Sequence, residues 1–82
     1  MVTKRRTEQL LRAAYVAARA QERKSLVDYR RARDTQAPQD RMDELWDDAL
    51  AAHKAMLAAW RPWVRAWMKA VNARQAEERE GA

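Results

Sequence analysis

The sequence predicts an all-α protein, an antiparallel two-helix hairpin, and three observations predict it. Turn-forming residues are scarce, with one Gly and two Pro among 82 residues, whereas a β protein needs many turns. Apolar residues recur three and four apart in two long stretches, the period of a packed helix. A single connector, Asp34 to Gln39, separates those stretches. A connector this short makes its two helices antiparallel neighbours. The chain is one domain, near the size at which a single core is only marginally sufficient.

Taken in order, residues 1–6 read as a loose basic arm. Thr3 would place Lys4, Arg5 and Arg6 in the first helical turn, where the helix dipole disfavours cations. Thr7 followed by Glu8 is the better start, so the first helix is expected over 7–33. Its apolar line is Leu11, Ala14, Tyr15, Ala18, Leu26 and Tyr29. Its alanines allow a large partner ring to come close. The loop is expected over 34–39, with Pro38 discouraging helix at Ala37.

Asp40 is the expected N-cap of the second helix, 40–79. Met42, Trp46, Ala49, His53, Met56, Trp60, Trp63, Trp67 and Val71 form one line along it, flanked by Leu45, Leu50, Leu57, Val64 and Met68. All four tryptophans lie on that line. Pro62 interrupts the helix, and an interior proline costs ~3 kcal/mol. The apolar phase passes through it unbroken and no capping residue precedes it. The expectation is one helix bent near Pro62, the alternative a break that starts a short third helix. Folding the hairpin at residue 37 sets Leu11 against Trp63, Tyr15 against Trp60 and Tyr29 against Trp46.

The first helix cannot cover so wide a stripe. Leaving Trp60, Trp63 and Trp67 in water would forfeit ~1.5–3 kcal/mol apiece. The expected remedy is a dimeric four-helix bundle, with a docking surface for another protein as the companion reading. Trp and Arg dominate interface hot spots. The expected partner-binding residues are therefore Trp60, Trp63 and Trp67, rimmed by Arg61, Arg65 and Lys69, against an acidic or apolar protein surface.

The net charge of +5 is uneven. Residues 1–34 hold ten Lys/Arg against four Asp/Glu, and residues 35–82 hold seven against eight. A hairpin brings residues 1–20 beside residues 60–76, which makes one pole basic. That pole supports an alternative function, binding of nucleic-acid phosphates through Lys4, Arg5, Arg6, Arg12 and Arg19. A third reading is an amphipathic helix on an anionic membrane surface, carried by residues 58–74.

The one histidine, His53, falls opposite Glu22, and the two are expected to form a polar pair in the core. One His and one Glu do not make a structural zinc site. The chain has no Cys, so it has neither disulfides nor thiol chemistry. No Ser–His–Asp set and no Gly-rich phosphate loop is present, so neither an enzyme nor a cofactor is expected. No uncharged run reaches the length of a membrane span, and Arg12 and Arg19 interrupt any signal-peptide core. A cytoplasmic adaptor or regulator is the leading expectation.

Overall fold

The computed structural model describes residues 2–81, with side chains from Arg6 onward. Two helices account for nearly all of it: α1, Val2–Asp34, and α2, Gln39–Gly81. They pack side by side as a hairpin, and among the described residues there is no strand.

Helix α1 begins earlier than expected. Residues 2–6, read from sequence as a loose arm, continue the helix; Met1 lies outside the described residues. Lys and Arg are good helix formers, and that preference prevails over the unfavourable dipole. At the other end α1 closes in a Schellman motif. Ala37 N–H donates to Ala32 O at 2.9 Å and Gln36 N–H to Arg33 O at 3.1 Å. Gln36 sits at φ 56°, the left-handed position such a cap requires. Thr35 Oγ1 donates to Arg31 O at 2.9 Å and helps satisfy the last turn.

Helix α2 opens at Gln39, so Asp40 stands inside its first turn and is not its cap. There its charge still meets the positive end of the dipole. Met42 N–H donates to Pro38 O at 3.0 Å and closes that turn. The helix runs through Pro62 to Gly81 without interruption, and among the described residues there is no third helix. Pro62 supplies no N–H to the carbonyl of Ala58, and it is exposed.

The seam between the helices has a strict alternation of three and four residues. On α1 it runs Leu11, Tyr15, Ala18, Glu22, Ser25, Tyr29 and Ala32; on α2, Met42, Leu45, Ala49, Ala52, Met56, Ala59, Trp63 and Ala66. Small residues occupy its middle. Ser25, Leu45, Ala49 and Ala52 are buried, and they are the only buried residues among those described.

The molecule is one layer thick. It measures 64 × 22 × 14 Å with a radius of gyration of 18.8 Å, against about 12 Å for a compact domain of this length. Its shortest dimension is under a quarter of its longest. Domains ordinarily need two packed layers to close a core.

Candidate interaction face

The two sides of this layer differ. One side is polar, with Gln21, Lys24 and Asp28 of α1 bordering Asp48 and Ala51 of α2 along a shallow groove. The other side carries the apolar surface. There α2 presents Trp46, Leu50, Leu57, Trp60, Trp67 and Met68, all at least one-third exposed, with Trp46 at 48% and Trp67 at 50%.

The reason lies in the period. Leu45, Ala52, Ala59 and Ala66 mesh with α1, and the tryptophans one step further round, Trp46, Trp60 and Trp67, are turned out of the seam. The line of Met42 to Val71 read from sequence is thereby split. Met42, Ala49, Met56 and Trp63 lie within the hairpin, whereas Trp46, His53, Trp60 and Trp67 face solvent.

Helix α1 contributes the rest of this open side. A cleft of about 150 Å³ is lined by Glu22, Leu26, Trp46, Ala49, Leu50 and His53. A second, of about 350 Å³, is lined by Tyr15, Arg19, Glu22, Met56, Leu57 and Trp60. Between them His53 Nδ1 lies 2.5 Å from Glu22 Oε2. The pair was expected inside the core, yet the His53 side chain is 53% exposed and that of Glu22 17%. It stands at the mouth of the seam because Ala49 and Ala52 take the inner positions.

Two ring contacts fasten the hairpin. Tyr29 meets Trp46 with centroids 5.4 Å apart, the expected pairing. Tyr15 stacks on Trp63 at 5.3 Å and 6°, where the folding arithmetic had set it against Trp60. Trp60 instead faces the open cleft. Residue numbers of paired partners sum to 75 at Tyr29–Trp46 and Glu22–His53 but to 78 at Tyr15–Trp63. The register therefore advances between His53 and Trp63, the stretch that holds Pro62. Arg19 Nη1 donates to the Tyr15 hydroxyl at 3.2 Å. The indole N–H of Trp63 is out of solvent and meets no acceptor, a cost of ~1–3 kcal/mol.

The expected site residues fall into three groups. Trp60 and Trp67 are on the open face, and Trp63 is half-buried in the hairpin. Arg61, Arg65 and Lys69 are exposed, and helical periodicity carries them progressively round α2, about 40°, 80° and 120° from Leu57. Arg61 therefore borders the open face, and Lys69 stands furthest from it. Further arginines on that side come from α1. Arg12 and Arg19 occupy one column with Leu26, a seven-residue repeat visible in the sequence whose facing was not. Of the phosphate-binding candidates, Arg6 and Arg12 are exposed, Arg19 is engaged with Tyr15, and the side chains of Lys4 and Arg5 lie outside the described residues.

Among the described residues no group of three or more His, Asp or Glu is placed to hold a metal ion. Likewise no described helix is long and apolar enough to cross a membrane. No family model, curated protein or solved structure matches the chain.

Proposed function

We propose that this chain is a small helical interaction protein, an adaptor or regulator rather than an enzyme, whose working surface is the open tryptophan face of α2. The observation that carries this reading is the mismatch between what the hairpin buries and what it leaves out. Leu45, Ala49 and Ala52 are its buried hydrophobic residues, while Trp46, Leu50, Leu57, Trp60, Trp67 and Met68 stand on one exposed side. Contiguous apolar surface on this scale, bordered by charge, marks an interaction site. Half-exposed tryptophans, with Arg19 lining the same cleft as Trp60, are the residue types that anchor such interfaces. The face is long and straight, so its natural complement is another amphipathic helix or helix pair, as in a four-helix bundle.

The nucleic-acid alternative draws less support, because Arg19 is turned toward Tyr15 and lines the cleft. The test is photo-crosslinking in the source cell. A crosslinking residue replaces Leu57 on the open face or Ala51 on the polar side of the same helix. Adducts are expected from position 57 and not from position 51. Equal labelling from both, or none from either, would sink the reading.

A further inference from the structure

We infer that the first occupant of the open face is a second copy of this chain, docked with its loop at the opposite end. This rests on the interaction face proposed above and names its partner. The first ground is area. The chain exposes 7119 Å², whereas a compact monomer of its 9.6 kDa mass exposes about 5,100 Å². The excess, about 2,000 Å² per chain, is what a subunit of an obligate homodimer contributes to its interface. One more layer of the same thickness also supplies the second layer that the hairpin lacks.

The second ground is charge. The half of the hairpin around the loop, residues 24–56, holds six Lys/Arg and seven Asp/Glu; the remaining residues hold eleven against five. Docking with both loops at one end would set two strongly basic halves against each other. Docking with the loops at opposite ends sets each basic half against a slightly acidic one, and like-charge juxtaposition is what such interfaces avoid.

The third ground is the spacing of the large side chains on α2. Leu50 and Val64 each lie seven residues from Leu57, and Trp46 and Trp67 lie eleven and ten residues from it. A twofold axis through Leu57 therefore lays Leu50 over the partner's Val64 and, to within one residue, Trp46 over the partner's Trp67 and His53 over the partner's Trp60. The surface is self-complementary, as an isologous contact requires. On α1 the same axis passes near Arg19, which sets Arg19 beside its own copy and within about a turn of the partner's Glu22.

The native chain has no Cys, so single cysteines report the arrangement. The experiment measures the mass of the full chain by light scattering at ~100 µM, then mild oxidation of Leu57→Cys and Thr35→Cys variants at the same concentration. The expected results are twice the 9.6 kDa chain mass, covalent dimer from Leu57→Cys, and none from Thr35→Cys. Covalent dimer from Thr35→Cys without Leu57→Cys would overturn the opposed arrangement. A monomeric wild type would overturn the second copy as occupant. In that event, crosslinks from position 57 to a different protein would leave the interaction face standing, and their absence would remove both.

Discussion

The Tyr15–Trp63 stack is the contact that fastens α1 to α2 beyond Pro62, and a double-mutant cycle measures its strength. Both rings are half-buried. Complete burial of an aromatic side chain makes its truncation to Ala cost 3–5 kcal/mol, so half-burial sets each single change at ~2 kcal/mol. The better helix propensity of Ala returns a few tenths of that. Parallel rings with centroids 5.3 Å apart and planes 6° apart add a pairwise term of ~1 kcal/mol. The double variant Tyr15→Ala, Trp63→Ala should therefore lose about 1 kcal/mol less than the two single losses combined. The assay is urea unfolding followed by circular dichroism at 222 nm, at one fixed chain concentration because self-association would contribute to apparent stability. Trp63→Phe belongs in the same series. It keeps a ring on Tyr15 and removes the indole N–H that has no acceptor, so it should stay within ~1 kcal/mol of the wild type. A coupling energy indistinguishable from zero would refute the placement of these rings against each other. A Trp63→Phe loss as large as that of Trp63→Ala would refute the account of the unpaired donor.

Three further outcomes follow from local geometry. Pro62→Ala restores a hydrogen bond to Ala58 at an exposed helical site, so the melting temperature should rise, by an amount corresponding to at most ~3 kcal/mol; calorimetry showing no rise would contradict an uninterrupted α2. Gln36→Gly relieves a left-handed residue at φ 56° and should stabilise by ~1 kcal/mol in the same experiment; destabilisation would mean that the cap is built differently. His53→Leu removes half of an exposed polar pair worth ~0–1 kcal/mol, so helicity and unfolding midpoint should barely move, and a large loss of either would show that the pair organises the fold.

The parts legible in the sequence and the parts that were not have one physical origin. Helix period and turn scarcity report which residues of a helix share a side, and they located both helices, the connector and the apolar arc of α2. They do not report which portion of that arc a neighbouring helix covers. Helix α2 carries an apolar arc wide enough for two contacts, one through Leu45, Ala52, Ala59 and Ala66 and one through Trp46, Trp60 and Trp67. Helix α1 offers Ala18, Ser25 and Ala32 to whichever it meets. Small residues on both sides let the backbones approach closely, and a tryptophan at those inner positions would hold them apart. The alanine row therefore closes the hairpin and the tryptophan row is turned outward. The strongest apolar signal in the sequence thus marks the surface the fold leaves uncovered. Sequence pattern weighs residues by hydrophobicity, whereas helix pairing weighs them by the distance at which two backbones can mesh. The same distinction places His53 and Glu22. Each lies on an apolar line of its helix, but Glu22 keeps a place in the seam with its side chain only 17% exposed, whereas His53 stands one step outside the row of small residues, close enough to bond and too far round to be enclosed.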